Sequence, residues 1–333
     1  RFYEETCLVD IDTPSIPTTD FATQLSHDWC VEVSEATDRT NKYEHSLTTP
    51  LSPEAELYTA LVVATRDYVQ KSGFTDICLG LSGGVDSALV ATIATDALGA
   101  DHVHPVLMPS RYSSDHSLKD AKDLVERQGI VAQTIPIEET HQSFHNLLSP
   151  SIGNYFPGFT DENLQARIRG VLLMALSNAF GWLVLTTGNK SESAVGFSTL
   201  YGDTAGAYAV IRDVYKTRVY ELCQWRNKQE DIPVIPENIL TKAPSAELRP
   251  DQRDDQRLPP YEILDPLLEA YIEGDRTRAE LIKGGFDPEL VDRVVKMVDL
   301  AEYKRRQTPL GPRVTTKGFG RDRRLPVVNR YDG

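Results

Sequence analysis

An α/β fold, a doubly wound parallel sheet followed by C-terminal helices and a basic tail, is what the sequence predicts. Three observations carry the prediction. Short apolar runs alternate with segments of helical length and period from residue 76 to residue 187, the pattern of strands joined by crossover helices. A glycine- and serine-rich turn, Ser82-Gly83-Gly84-Val85-Asp86-Ser87, joins the apolar run Ile77-Cys78-Leu79-Gly80-Leu81 to an apolar-periodic stretch over 88–98. The composition, 40% hydrophobic and 25% charged over 333 residues, suits a large soluble domain with an attachment.

Weak alternation over 2–12 reads as a strand, and the Thr-, Ser-, Pro- and Asp-rich stretch 13–50 reads as a linking segment. Ser52 and Pro53 are an N-cap and a first-turn proline, so a helix runs from there to about Lys71 and stops at Gly73. A strand over 76–81 leads into a helix over 86–98, and a strand over 102–108 leads into a helix from Asp115. A strand over 131–135 leads into a helix from Glu138, and a long helix over 161–180 precedes a strand over 182–187. This alternation implies helices on both faces of a parallel sheet, with ligands beyond the carboxyl ends of the strands. The turns at Ser82 and Thr187 both fall at that edge. Another helix starts at Lys216, after Val214-Tyr215. The stretch 243–260, crowded with Asp, Arg, Gln and Pro, is expected to be a mobile lid or a disordered excursion. Helices over 261–273 and 288–303 close the fold.

Charge excludes some partners. The net charge of −14 disfavours nonspecific binding to nucleic acid or an anionic membrane. No apolar run is long enough to span a bilayer, and Arg1-Phe2-Tyr3-Glu4-Glu5 does not resemble a secretory signal. The charge is uneven: residues 1–50 hold ten Asp/Glu against three Lys/Arg, and residues 301–333 hold nine Lys/Arg against three Asp/Glu. The basic tail is either a solvated charge run or a means of gathering a polyanionic small molecule. Cys7, Cys30, Cys78 and Cys223 show no CxxC spacing and no paired histidines beside them. Free thiols in a reducing cytosol are expected, and a zinc site is not.

The turn at 82–87 carries the chemistry. Its glycines let backbone approach phosphates, and N–H groups at a helix N-terminus point toward them. Two serine hydroxyls add donors, and the Asp86 carboxylate offers a metal ligand. The bland reading is a glycine turn with no ligand. The pattern is not the GxxxxGK[ST] loop of kinases and GTPases. SGGxDS instead resembles the loop of the ATP pyrophosphatase superfamily, whose members split ATP between the α and β phosphates and adenylate a substrate oxygen. GMP synthetase, asparagine synthetase and NAD synthetase look alike at this loop, so it implies a reaction type and leaves the substrate open.

Further stretches select among them. Glu162-Asn163-Leu164-Gln165-Ala166-Arg167-Ile168-Arg169 opens the long helix, Thr186-Thr187-Gly188-Asn189-Lys190-Ser191-Glu192 follows a strand, and Tyr201-Gly202-Asp203 comes after. Their order and spacing resemble NAD synthetase. Glu302-Tyr303-Lys304-Arg305-Arg306-Gln307 and Gly318-Phe319-Gly320-Arg321-Asp322-Arg323-Arg324 look like its glutamine-dependent bacterial branch. The resemblance covers residues 51–324 and implies a Rossmann-like fold of the adenine nucleotide alpha-hydrolase type.

The resemblance also implies roles. Asp86 and Glu192 match magnesium-binding carboxylates and, with Lys216, would be catalytic. Ser82, Gly83, Gly84, Val85 and Ser87 would hold the pyrophosphate, and Met108, Thr187, Lys216 and Ser245 match ATP-contacting positions. Asn163 and Arg167, one helical turn apart, match positions that orient the nicotinate end of deamido-NAD, and Tyr303 and Lys304 match a late pair for the same substrate. A surface lysine and a solvated glutamate are the plain alternatives for Lys216 and Glu192. Leu200 and Ala207 stand where the small ammonia-dependent enzymes carry lysine and aspartate, so contacts near them are not carried over.

The implied reaction is amidation of nicotinic acid adenine dinucleotide (deamido-NAD) to NAD through an acyl-adenylate. ATP is the co-substrate, Mg²⁺ the metal, and AMP and pyrophosphate the products. Nitrogen comes from ammonia, or from glutamine in a two-domain protein. Residues 1–45 are expected to be the C-terminal remnant of a nitrilase-like glutaminase domain with its linker, and 46–333 the synthetase domain, the chain being a truncated or cleaved product. A cytoplasmic homodimer or larger homo-oligomer is implied. The alternatives are another adenylating amidotransferase such as GMP synthetase, or a catalytically silent nucleotide-binding module.

Overall fold

The structure, a computed structural model, describes residues 50–153, 156, 158–250 and 252–328. The expected strand over 2–12, the linking segment up to residue 49, the glutaminase remnant over 1–45, Cys7 and Cys30 lie outside the described residues. The helices and strands of the described residues all belong to the compact unit Ser52–Gly333.

The unit begins with α1 (Pro53–Lys71), where the Ser52 side chain accepts the Ala55 N–H at 3.2 Å and Pro53 occupies the first turn. Then come β1 (Ile77–Gly80), α2 (Val85–Leu98), β2 (Val103–Leu107), α3 (Asp115–Gln128), β3 (Gln133–Thr134) and α4 (Glu138–Ile152). Next are α5 (Gly158–Phe180), β4 (Leu183–Thr186), α6 (Lys190–Val195), β5 (Tyr208–Ala209), α7 (Lys216–Asn227) and α8 (Glu237–Thr241). Among the described residues the last helices are α9 (Tyr261–Ile272), α10 (Arg278–Lys283), α11 (Pro288–Leu300) and α12 (Glu302–Arg305).

The described strands form one five-stranded sheet in the order β3-β2-β1-β4-β5, every pairing parallel. Ile77 registers with Val103 on one side and Leu183 on the other, so β1 is central. Successive side chains of a strand point to opposite faces, and the core is divided accordingly. Ile77, Leu79, Val103, Leu107, Leu183 and Leu185 pack toward α1, α2, α3 and α7. Cys78, Val106 and Val184 pack toward Ile168 and Leu173 of α5 and Ile137 beside α4. The sheet is doubly wound, as the sequence predicts. A separate apolar cluster joins α6, α9, α10 and α11.

Three features differ from expectation. β5 lies in a stretch with no strand signal, because two residues suffice to pair with β4. The helix expected over 288–303 breaks at Ala301 into α11 and α12. The stretch 243–260 is built into the fold, fastened to α3 through Glu247 and to α5 through Arg257. No helix among the described residues is long and apolar enough to cross a membrane.

Candidate active site

The strand order reverses between β1 and β4, whose carboxyl ends lie side by side, and such switch points open a crevice. The turn at 82–84 fills one lip of it. Gly83 has φ of +79°, and a Cβ there would lie 2.3 Å from the Ser117 carbonyl oxygen, so no other residue fits this approach to α3. Gly84 caps α2, and Asp86 stands in the first turn. The Ser82 and Ser87 hydroxyls are 3.2 Å apart; Ser82 Oγ accepts the Gly84 N–H at 3.2 Å and Ser87 Oγ donates to the Gly84 carbonyl at 3.0 Å.

Facing the turn is a lysine among carboxylates. Lys216, the buried first residue of α7, pairs with the Asp86 carboxylate and lies 3.3 Å from Glu192 Oε1. Asn189 caps α6 and bridges the two acids: its Nδ2 donates to Asp86 Oδ1 at 3.0 Å, and its Oδ1 accepts the Glu192 N–H at 2.9 Å. Buried Asp265 accepts from Ser191 Oγ at 2.5 Å, Thr217 N at 2.8 Å and Thr217 Oγ1 at 2.9 Å, locking α6 and α7 in register. Asp254 joins the cluster, accepting the Tyr261 hydroxyl at 3.2 Å, while its buried Oδ1 has no partner among the described residues.

Burial pushes the Glu192 carboxyl up to about 8, and the Asp86 and Asp254 carboxylates add to this while Lys216 opposes it. Burial pulls Lys216 down, but Asp86 and Glu192 pull harder, so it stays charged. The acids outnumber the one ammonium, so Glu192 keeps its proton near neutral pH until a second cation arrives. Oxygen donors with unmet negative charge suit a hard divalent cation. Asp86 and Glu192, both within reach of Lys216, are the carboxylates that could hold one.

Turn and cluster open into one cavity of about 320 Å³. Ser82, Gly83, Gly84, Val85, Asp86, Ser87, Met108, Thr187, Glu192, Lys216 and Ser245 all line it, so the structure brings together every expected ATP and metal residue. Arg169 lines it too, with Nε donating to the Met108 carbonyl at 3.0 Å, and burial pulls its pKa down to about 10.

Lys242–Leu248 and Asp254 also line the cavity, and their segment is tied on both sides. Glu247 accepts from Ser114 N at 3.1 Å, Ser114 Oγ at 2.9 Å, Ser117 Oγ at 2.8 Å and Lys242 Nζ at 2.7 Å, and Lys242 also meets Ser117. Arg257 makes a two-point contact with Glu162 at 2.8 and 2.9 Å, and Gln165 Nε2 donates to the Leu248 carbonyl at 2.9 Å. Within the segment, Ser245 Oγ accepts the Glu247 N–H at 3.1 Å.

The four expected dinucleotide residues stand apart from this cavity. Asn163 Oδ1 accepts from Thr199 Oγ1 at 2.8 Å, and Arg167 Nε donates to the Leu200 carbonyl at 3.2 Å. Lys304 Nζ donates to the Gly196 and Ser198 carbonyls, each at 2.7 Å. These three hold the loop 196–200; Phe197 and Ser198 within it, with Gly202 and Asp203 just beyond, form the cavity's far wall. Tyr303 is 47% exposed.

Sequence reading misses Asp254, Lys242 and Glu247, which lie in aperiodic polar sequence that nothing local marks as part of a site. Arg169 and Asn189 stand inside recognisable motifs that assign them no role. Lys190, two residues before Glu192 in the chain, is fully buried and faces away, ion-paired with Asp213 at 2.9 Å and Glu273 at 3.0 Å and bonded to the Lys317 carbonyl at 3.0 Å. The basic tail is largely paired within the fold: Arg305 and Arg306 meet Glu302, Arg313 meets Asp322, and Lys317 meets Asp275.

A serine–glycine turn at the end of a central strand, opening with a lysine and three acids into one cavity, defines an α/β protein of the nucleotide-binding kind. Residues 57–308 match the NAD synthase family. The chain is 54% identical over 277 residues to a glutamine-dependent NAD(+) synthetase of Acinetobacter baylyi, covering 83% of this chain and 51% of that protein. The structure of a glutamine-dependent NAD+ synthetase from Acinetobacter baumannii, in complex with adenosine diphosphate, is similar with a TM-score of 0.59 and 49% identity, over 86% of this chain and 52% of that one. An NH3-dependent NAD synthetase from Campylobacter jejuni is similar with a TM-score of 0.60 and 28% identity, over 74% of this chain and 94% of that one. The chain belongs to the NAD synthase family. It spans about half the length of the curated relatives it matches.

Proposed function

We propose that this chain amidates deamido-NAD to NAD at the expense of ATP. The nicotinate carboxylate oxygen attacks the α-phosphorus of ATP, and pyrophosphate leaves. Ammonia then attacks the acyl carbon of the adenylate, AMP departs with the bonding electron pair, and the nitrogen loses a proton. The observation that carries the reading is the single cavity in which the 82–87 turn faces Asp86, Glu192 and Lys216.

Placement suggests the roles. The N–H groups and hydroxyls of the turn would receive the departing pyrophosphate at the α2 N-terminus. Lys216, buried and charged, would stabilise negative charge developing on the phosphates, and Arg169 and Lys242 line the same space. Met108, Thr187 and Ser245 would bound the adenosine part. Mg²⁺, when held by Asp86 and Glu192, would neutralise phosphate oxygens and align them. Asn163, Arg167 and Lys304 would order the dinucleotide through the loop 196–200, and exposed Tyr303 would meet it directly. Catalysis is then chiefly positioning and electrostatics.

The Campylobacter jejuni relative, named NH3-dependent and covered over 94% of its length, supports ammonia as sufficient for this part of the chain. The half-length match to glutamine-dependent relatives supports a glutaminase domain in a longer protein, and a homo-oligomer of the chain is proposed with it. The test is to incubate the chain with ATP, Mg²⁺, ammonium and deamido-NAD and to detect the products by mass. NAD, AMP and pyrophosphate in equal amounts are expected. ADP and orthophosphate, or AMP formed equally well with xanthosine monophosphate, would overturn the proposal.

A further inference from the structure

Away from the cavity, α4 and α5 bring together three side chains that the proposed reaction does not use. His141 and His145 lie one turn apart on α4, and Asp161 stands in the first turn of α5. Asp161 Oδ1 is 2.8 Å from His141 Nε2 and 2.7 Å from His145 Nε2, and the three potential ligand atoms lie within 4.8 Å of one another. We propose that His141, His145 and Asp161 form a binding site for a divalent transition-metal ion of the zinc class.

The donor set selects the ion. Two imidazole nitrogens and one carboxylate oxygen suit zinc and its neighbours, whereas the all-oxygen pair Asp86 and Glu192 suits magnesium. Two histidines at i and i+4 on one helix face are a familiar pair of zinc ligands. Zinc bonds of ~2.0–2.2 Å in a tetrahedral shell place ligand atoms roughly 3.3 Å apart. The two separations from Asp161 Oδ1 would open by roughly half an ångström, and the two histidine nitrogens already lie within 4.8 Å of each other. Three protein ligands leave a fourth position for water, and both His145 and Asp161 retain some solvent exposure.

The surroundings hold the ligands in place. His141 is buried, 2% exposed, its ring edge-on to that of His145 at 4.7 Å between centroids, and with Nδ1 unpartnered among the described residues its hydrogen bond there is the one from Nε2 to Asp161. The His145 ring stacks on Phe156 at 3.9 Å between centroids. Gln165 Nε2 donates to Asp161 Oδ2 at 3.1 Å, which leaves Oδ1 facing the histidines, and such outer partners commonly orient ligating carboxylates. The same Gln165 nitrogen reaches the carbonyl of Leu248, which lines the cavity, at 2.9 Å. The sequence shows the pair as His141-Gln142-Ser143-Phe144-His145. Read alone, that stretch does not announce a site, because no cysteine accompanies it and Asp161 comes close only in the folded chain.

The test uses the 333-residue chain, stripped of metal and kept in excess Mg²⁺ so that oxygen-only sites are filled. Titration with Co²⁺ should give visible bands of nitrogen-ligated, low-coordinate cobalt that saturate near one equivalent and are bleached by Zn²⁺. His145→Ala and the isosteric Asp161→Asn should each weaken zinc binding by at least about tenfold, with far-UV dichroism unchanged. Absence of the bands, or zinc affinity unchanged in both variants, would overturn the proposal. Binding that survives both variants but is lost in Asp86→Asn would also overturn it, by placing the ion at the cavity.

Discussion

Gly83 and Asp86 sit three residues apart and carry different burdens. At Gly83 the left-handed φ of +79° and the 2.3 Å approach to the Ser117 carbonyl act together. Gly83→Ala should cost about 1–3 kcal/mol of backbone strain and push the turn off α3. Thermal unfolding would shift down, and pyrophosphate release would fall with it. Asp86 accepts from Asn189 and pairs with buried Lys216, so Asp86→Ala should lower the melting temperature modestly, Glu192 remaining to pair Lys216, while turnover falls by ~10²–10³. A variant releasing pyrophosphate at the parent rate would remove Asp86 from the chemistry. Both residues are legible in the sequence, because a strand, a glycine turn and a helix start are contiguous there. Asp254 is not: its charge acts on Glu192 from 62 positions away along the chain, and no local pattern encodes such a juxtaposition.

Among elements, the segment 242–257 departs furthest from expectation. Its composition reads as an excursion, yet Glu247, Arg257 and Leu248 fasten it to α3 and α5. Burial would raise the Glu247 carboxyl, but Lys242, Ser117 and Ser114 outweigh it and hold it below its usual value of 4.5. The folded-state pKa is therefore below the unfolded one, so this attachment is fully present above about pH 4.5 and is lost as pH falls through the lower folded value. Hydrogen exchange, corrected for intrinsic rates, should show the amides of 243–250 protected at pH 7 and losing protection below pH 4.5 ahead of the sheet. Glu247→Ala should remove that protection at pH 7. Lys190 makes the opposite point, since its motif neighbours line the cavity while it anchors residues 313–317 beneath α6. Lys190→Met would leave Asp213 and Glu273 buried without their cation, at about 3–5 kcal/mol, read as a lower melting temperature.

For the whole molecule, the expected outcome is turnover with ammonium: the 333 residues expressed alone should make NAD from deamido-NAD when ammonium is supplied. Loss of the ammonium-dependent product, with ATP still bound, would favour a silent nucleotide-binding module. From the chain alone came the doubly wound class, the carboxyl-end placement of the 82–87 and 187–192 turns and the likeness to NAD synthetase. Each rests on signals contained in short contiguous stretches: period, turn chemistry and motif order. The folded chain decided which of these stretches meet. It seated Lys216 between Asp86 and Glu192, turned Lys190 away, brought 242–248 and Asp254 to the cavity wall and set Asp161 against two histidines. Those are contacts between residues distant in sequence, and their geometry exists only once the sheet and its two layers of helices have packed.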